Sequence, residues 1–258
     1  MTDKYSAVTE LAGDMVTQEQ INRMCHRYYW AKNYCANKDV VEAGCGTGQG
    51  LNYLYAVSNS LAAGDYSGEI LNAAKENCTH KIDLQQFDAQ KMPYPDNSKD
   101  VIILFEALYY IPDATLFVSE CQRVLREKGV VLIATANKDL YDFNPSPHSY
   151  KYYGVKELGE IFSSHGFDAE IFGYLDTSKI TLRQRILRPL KKIIVMLGLM
   201  PKTMTGKKIL KRLVFGELVR MPKSISPDMI EYSSPTKIED ITVADCKYKV
   251  IYCAASLS

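Results

Sequence analysis

The sequence predicts an α/β fold in which helices cover both faces of a central sheet. Short apolar runs alternate with stretches of helical periodicity through most of the chain. Glycines recur at alternate positions directly after the first apolar run, at Gly44, Gly46 and Gly48. An acid closes each of the first three runs: Glu42, Asp65 and Asp88. Open α/β sheets build their ligand sites at the carboxyl ends of strands, so we expect these residues to share one site.

Composition sets the broad class. The chain has 258 residues, of which 47% are hydrophobic and 24% charged, and its mean hydropathy is −0.17. These values are typical of a soluble protein with one large domain, alone or with an elaboration. No apolar run approaches the ~18 residues of a membrane span, and the first residues lack the apolar core of a signal peptide. Seven cysteines without a Cys-x-x-Cys pair indicate reduced thiols in the cytoplasm and no zinc site.

The first helix is predicted at residues 17–35. Thr17 is suited to the N-cap position, and Glu19 lies in the first turn, where the helix dipole favours an acid. Further helices are predicted at residues 48–58, 67–74, 115–128 and 155–165. Strands are predicted at residues 39–43, 61–67, 82–87, 100–105, 130–136, 167–174 and 246–254.

The glycine turn at residues 40–50 excludes two common nucleotide motifs. Its third glycine comes one residue too early for the Gly-x-Gly-x-x-Gly fingerprint of dinucleotide-binding proteins. The Lys-Ser/Thr pair of a P-loop is missing after the glycines. Glycines at these positions still allow positive φ and a close approach of the backbone to a ligand. The pattern Glu-x-Gly-x-Gly-x-Gly resembles the first motif of class I S-adenosylmethionine (SAM) methyltransferases.

The resemblance extends over about residues 20–175. It rests on the acids that end successive strands and on the Pro-Tyr-Pro-Asp-Asn-Ser motif at residues 93–98, before the fourth strand. It implies a Rossmann-like seven-stranded sheet and SAM as the cofactor, with S-adenosylhomocysteine (SAH) as its product. In that family the glycine turn holds the methionine moiety, and residues 105–110 line the methyl-transfer site. The implied cofactor contacts are Glu42, Gly44, Cys45, Gly46, Gly48, Asp65, Tyr66, Asp88, Ala89 and Phe105.

Two of these assignments have alternatives. Asp65 is expected to accept hydrogen bonds from the ribose hydroxyls, although it could simply cap the following helix. Arg27 and Tyr28 are expected to close over the amino-acid end of the cofactor, because a guanidinium pairs bidentately with a carboxylate. The alternative for this stretch is a helix that packs its aromatic side chains on the sheet.

The catalytic residues are expected near the fourth and fifth strands. Many relatives carry two histidines where this chain has Tyr109 and Tyr110, so a histidine base is absent from that position. His148 lies in the loop after the fifth strand. Histidine is the residue type whose unperturbed pKa lies near neutral pH, which makes His148 the candidate general base, with Tyr109 or Tyr110 as alternatives. His148 could also be a loop residue that only forms hydrogen bonds. The other histidines, His26, His80 and His165, are given no role.

The charge distribution indicates an insertion. Residues 179–223 contain eight Lys, five Arg and one acid, a net charge of +12 in a chain of net charge +1. We therefore expect a methyltransferase core at residues 1–176, a basic helical insertion at 177–242 between strands six and seven, and the final strand at 243–258. The predicted insertion helices are residues 184–199 and 205–218.

Four roles are open for this insertion. It could be a lid that binds an anionic acceptor, or a basic amphipathic surface that contacts anionic lipid and a lipid-linked substrate at the inner face of the membrane. It could also be a packed cap with a solvated basic face. Nucleic-acid binding is disfavoured because aromatic residues are sparse among the basic ones.

The expected function is methyl transfer from SAM to an oxygen or nitrogen atom of a small molecule, either a sugar or polysaccharide precursor or a specialised metabolite. The expected location is the cytoplasm. Two alternatives remain: a SAM-binding regulatory or partner-activated protein without its own methyl transfer, and a binder of another nucleotide.

Overall fold

The computed structural model describes residues 11–179 and 218–257. The strands in this part of the chain are β1 Met15–Thr17, β2 Asp39–Ala43, β3 Ser60–Asp65, β4 Asp83–Gln86, β5 Lys99–Phe105, β6 Leu125–Ala136, β7 Phe167–Asp176, β8 Leu218–Arg220, β9 Thr236–Lys237 and β10 Tyr248–Leu257. The helices are α1 Gln18–Cys35, α2 Leu51–Tyr55, α3 Gly68–Asn77, α4 Ala114–Val124 and α5 Val155–Ser163, with 3₁₀ turns at Leu108–Tyr110 and Thr177–Lys179.

The main sheet has the strand order β4-β3-β2-β5-β6-β10-β7-β9. Strands β2 to β6 pair in parallel, while β10 is antiparallel to both β6 and β7. The seven predicted strands are confirmed, and the two-residue β9 adds an eighth at the edge. The chain order reverses between β2 and β5, and a doubly wound sheet binds its ligands at such a reversal.

Buried strands and helices on both faces form the core, as predicted. On one face α1 packs Met24 and Trp30 into a cluster with Tyr252 of β10. On the other face Phe117 of α4 and Phe162 of α5 pack in a second cluster. The central strands β2, β5 and β6 are apolar and buried because they are covered from both sides.

Local sequence signals position most element ends. Thr17 forms the predicted N-cap of α1 and, with Gln20, a complete capping box. The side chains of Ser67 and Asp113 accept backbone N–H groups at the N-termini of α3 and α4, without a capping box. The helix predicted at 48–58 is shorter, because Gly48 has φ +77° and belongs to the preceding turn.

The end of the basic segment packs beside the glycine turn. Strand β8 pairs with β1 in a separate antiparallel sheet. Further on, Ile225 is buried and donates its backbone N–H to the carbonyl of Gln49 at 2.8 Å. Most of the two helices predicted at 184–199 and 205–218 lies outside the described residues. Residues 218–242, which are described, contain β8 and β9 and no helix, and Leu218 begins a strand rather than ending a helix. No helix in residues 11–179 or 218–257 is long and apolar enough to cross a membrane.

Candidate active site

A cavity of about 470 Å³ opens at the carboxyl ends of β2, β3 and β5. This volume lies within the range of roughly 300–1,000 Å³ that is typical of small-molecule sites. The cavity wall includes most of the residues predicted from the sequence: Arg27, Tyr28, Gly44, Cys45, Gly46, Asp65, Tyr66, Asp88, Ala89, Phe105, Tyr109 and Tyr110. Glu42, Gly48 and His148 are not part of the wall.

The glycine turn forms one side of the cavity. Gly44, Gly46 and Gly48 all have left-handed backbones, with φ of +67°, +58° and +77°. A Cβ added to Gly44 would lie 3.1 Å from Cβ of Ala107, so the turn closely approaches the segment after β5. A Cβ on Gly48 would lie 3.2 Å from that of Ala74, and this glycine therefore serves helix packing behind the cavity.

Asp65 connects the glycine turn to the end of β3. Its Oδ2 accepts the backbone N–H of Gly46 at 3.0 Å, and its Oδ1 accepts that of Ser67 at 2.9 Å. The N-cap of α3 is Ser67, whose hydroxyl accepts the N–H of Ile70. Asp65 thus lines the cavity and orders its turn.

The end of β4 supplies the far side of the cavity. Asp88 lines the wall together with Phe87 and Ala89, and its Oδ1 accepts the backbone N–H of Gln90 at 2.9 Å. Tyr66 stands at the mouth with 61% of its surface exposed. A left-handed glycine turn followed by Asp65 and then Asp88 along the wall fits the methionine, ribose and adenine parts of SAM in that order.

Glu42 lies behind the cavity wall, beneath Tyr28. The Tyr28 hydroxyl donates to Glu42 Oε1 at 2.6 Å, and only 1% of Glu42 is exposed. Burial raises the pKa of Glu42 to about 7, because the charged carboxylate loses its water. Its Oε2 is buried and has no hydrogen-bond partner among the described residues. The Tyr28 ring rests against Gly50, where an added Cβ would lie 2.0 Å from the ring.

The cavity wall also carries an ion pair that no sequence pattern predicted. Arg23 Nη2 of α1 lies 2.7 Å from Glu106 Oε1, directly after β5. Glu106 has a left-handed backbone with φ +52°, and its N–H donates to the carbonyl of Ala134 at 2.7 Å. Both side chains line the cavity. They are 83 positions apart, so no local signal connects them.

Tyrosines surround this ion pair. Tyr109 donates its hydroxyl to Glu106 Oε2 at 3.2 Å. Burial, together with the nearby Glu106 carboxylate, raises the pKa of Tyr109 well above its ordinary value. This environment makes Tyr109 a hydrogen-bond donor and disfavours it as the general base. The Tyr110 hydroxyl lies 2.5 Å from Ser146 Oγ, and Tyr150 donates its backbone N–H to the carbonyl of Tyr109 at 2.8 Å.

The loop after β6 carries His148 and part of the cavity wall. His148 is exposed on a left-handed turn with φ +66° and lies outside the cavity wall, so its predicted role as a base gains no support from the geometry. The same loop contributes Ser146 and Tyr150 to the wall instead.

His26 has a structural position that the sequence did not indicate. Its ring stacks on Tyr174 with centroids 3.5 Å apart. Its Nδ1 lies 2.9 Å from the Tyr252 hydroxyl, and its Nε2 lies 2.8 Å from the Ser233 carbonyl. Burial lowers the pKa of His26 to about 4, which keeps the ring neutral. His26 therefore connects α1 to β7, β10 and the loop before β9.

Residues 41–133 match a family model described as a methyltransferase domain, Methyltransf_11. These residues belong to a methyltransferase domain of the SAM-dependent class. The predicted resemblance is thereby confirmed, and the match includes the glycine turn, Asp65, Asp88 and the segment after β5. Family and fold imply SAM as the cofactor of this methyltransferase domain.

Individual proteins of similar sequence are also named as methyltransferases. A probable SAM-dependent methyltransferase of Mycolicibacterium smegmatis is 32% identical over 57% of this chain and 56% of its own length. A ubiquinone/menaquinone biosynthesis C-methyltransferase of Stenotrophomonas maltophilia is 28% identical over 66% of this chain and 69% of its own length. The chain spans about half the length of the mycobacterial relatives it matches.

A solved structure shares the fold of the methyltransferase domain. A SAM-dependent methyltransferase of Thermotoga maritima superposes with a TM-score of 0.58 and covers 93% of this chain and 92% of its own. Only 11% of the aligned residues are identical, so this similarity concerns the fold alone.

Proposed function

We propose that the protein is a SAM-dependent methyltransferase that transfers a methyl group to an oxygen or nitrogen atom of a small-molecule acceptor. One observation carries this proposal: a single cavity is lined by the glycine turn, Asp65 and Asp88 and, as a second part, by polar side chains around Glu106. A protein that only binds SAM needs the first part of this cavity and has no use for the second.

The residues of the two parts have different tasks. When bound, SAM supplies the methyl group on a positively charged sulfonium. Asp65 and the Gly46 backbone, already hydrogen-bonded to each other, hold the ribose and methionine parts without reorganisation. Gly44 lets the turn approach Ala107 closely, which places the donor side of the cavity against the acceptor side. Proximity and alignment of this kind account for much of the rate of a bimolecular transfer.

The acceptor side supports a polar acceptor atom. Glu106, Tyr110 and Ser146 line it and provide hydrogen-bonding groups that suit a hydroxyl or an amine. Tyr150 stands at its mouth with 55% of its surface exposed and offers an aromatic face to a ring or sugar. One of the relatives is named as a carbon methyltransferase, so similarity to these relatives leaves the acceptor atom open. The polar side chains above are the features that favour oxygen or nitrogen.

The basic segment at residues 179–223 adds a proposal about partners. Its net charge of +12 favours an anionic acceptor or an anionic lipid surface. Sedimentation with vesicles of anionic lipid, at low and high salt, tests the second version. Absence of binding at low salt would leave two roles for the segment: binding of an anionic acceptor, or a packed cap with a solvated basic face.

Two measurements test the enzymatic proposal. Calorimetry with SAM, SAH and NAD should show binding of the first two and none of the third. Incubation with methyl-labelled SAM and fractionated lysate of the source organism should give a labelled small molecule, which mass spectrometry identifies. Tight SAM binding without any labelled product would favour a regulatory SAM-binding protein. Binding of NAD alone would contradict both.

A further inference from the structure

We propose that Glu106 is the catalytic base of the methyl transfer and takes the proton of an acceptor hydroxyl. This inference rests on the proposed function, whose acceptor it narrows to a molecule with a hydroxyl group. It starts from the place of Glu106 in the fold. The residue follows the last position of β5, beside the glycine turn, and its carboxylate lines the acceptor side of the cavity.

The backbone of Glu106 is unusual for its residue type. A non-glycine residue at φ +52° is strained. Of the seven non-glycine residues with positive φ in the described part of the chain, only Glu106 lines the cavity. The bond from its N–H to the Ala134 carbonyl holds this conformation against β6. A glycine would adopt the same backbone without strain, so the chain carries a carboxylate where local structure favours no side chain.

Two neighbours orient the carboxylate. Arg23 Nη2 contacts Oε1 at 2.7 Å from α1, and the Tyr109 hydroxyl donates to Oε2 at 3.2 Å. Each oxygen of a carboxylate accepts more than one hydrogen bond, so Glu106 can accept an acceptor hydroxyl while both contacts persist. Arg23 and Tyr109 are positioning residues in this scheme.

Other candidates for the base are less suitable. Of the cavity-lining residues in the described part of the chain, three are carboxylates: Asp65, Asp88 and Glu106. Asp65 and Asp88 lie at the nucleoside end. Tyr109 stays protonated because burial raises its pKa, and His148 is outside the wall.

The reaction balances in atoms and charge. Glu106 takes the proton of the acceptor O–H, and the electron pair of that bond stays on oxygen. A lone pair of the same oxygen forms the new O–CH3 bond, while the electron pair of the S–CH3 bond remains on sulfur. A carboxylate and a sulfonium thus become a neutral carboxylic acid and a neutral thioether. The cavity mouth then lets Glu106 return its proton to water.

The backbone strain allows a test that separates catalysis from folding. Glu106→Gly removes the carboxylate and suits the left-handed backbone, so this variant should melt no lower than wild type. Lys128→Gly is the matched control, because Lys128 is exposed and also left-handed, with φ +61°. Turnover is measured with methyl-labelled SAM and the lysate fraction that wild type labels, and SAH affinity is measured by calorimetry.

We expect Glu106→Gly to lower kcat by about 100-fold or more, as for loss of a general base, with SAH affinity unchanged. Added formate should restore part of this turnover, and Glu106→Asp should retain part of it, while Lys128→Gly keeps wild-type values. Retained turnover in Glu106→Gly would overturn the role of Glu106 alone. A loss of SAH affinity of about tenfold would overturn it too, by making Glu106 a cofactor ligand. No labelled product from wild type would overturn the proposed function, and the base role with it.

Discussion

Tyr28 and Glu42 share a hydrogen bond of 2.6 Å in the protein interior, with the tyrosine as donor. The pair lies directly behind the glycine turn, and Tyr28 forms part of the cavity wall. Because Glu42 is buried, its ionisation affects the free energy of unfolding as well as the site. The Tyr28 ring in turn occupies space that only a glycine at position 50 leaves open.

We expect Glu42 to make the protein less stable as pH rises. Its folded pKa is about 7 against an ordinary value of 4.5, so the folded state holds the proton to a higher pH than the unfolded chain. Its contribution is therefore complete below about pH 4.5 and is lost as pH rises towards 7, a change of about 3 kcal/mol. Urea unfolding of Glu42→Gln from pH 4.5 to 8 should show stability gained relative to wild type over this interval. The exposed Glu69→Gln should show none, and parallel curves for wild type and Glu42→Gln would contradict the prediction.

His26 should make the protein less stable as pH falls, which is opposite to the effect of Glu42. Its folded pKa is about 4 against an ordinary 6.5, so stability is fully present above pH 6.5 and is lost as pH falls towards 4. The expected loss is roughly 2–3 kcal/mol. The two residues therefore compensate each other in wild type between pH 4.5 and 6.5. Glu42→Gln should expose a loss of stability on acidification, and His26→Gln a gain; two flat profiles would show that neither residue titrates as described.

Gly50→Ala should disturb the site through Tyr28. The new Cβ would lie 2.0 Å from the ring, which must move and release Glu42. Overpacking of this kind costs typically about 1–3 kcal/mol, and SAH affinity should fall with it. Gly68→Ala is the control, since its Cβ meets only the flexible end of Gln86, at 3.0 Å. Thermal unfolding and calorimetry measure both effects, and an unchanged SAH affinity in Gly50→Ala would separate Tyr28 from the cofactor site.

Asp65→Asn should weaken cofactor binding. The change replaces a charged acceptor of the Gly46 and Ser67 N–H groups by an amide with one acceptor oxygen. Hydrogen bonds to charged groups contribute about 1.5–3 kcal/mol each, so we expect SAH affinity to fall by at least about tenfold. Calorimetry on Asp65→Asn and on the exposed Asp83→Asn provides the comparison. Equal affinities in the two variants would remove Asp65 from the ribose site.

Local patterns were sufficient for most elements and for many residues of the cavity wall. The capping residue Thr17, the limits of β2 and the positive φ of the three glycines all follow from residues within a few positions of each other. Asp65 and Asp88 were predictable because each ends a strand of the parallel sheet, and parallel strands bring such ends to one edge.

Contacts between distant segments were not predictable in this way. Arg23 reaches Glu106 across 83 positions, and His26 reaches Tyr252 across 226. Neither pair follows from a local periodicity, and the sequence offered His148, Tyr109 and Tyr110 as candidate bases but not Glu106. Both contacts form where α1 packs on the sheet, and this packing depends on segments far apart in the sequence.

The place of β10 between β6 and β7 has a consequence for synthesis of the chain. The five parallel strands β2 to β6 are complete once residue 136 has left the ribosome. Strand β10, which pairs with the other edge of β6, is the last of the described strands to be synthesised. Until then β6 presents an open edge of twelve residues, most of them buried in the finished fold, and such an edge pairs readily with other chains. Nascent chains that stall before residue 248 should therefore depend on chaperones, although they already contain Gly44, Asp65 and Asp88 of the cavity wall.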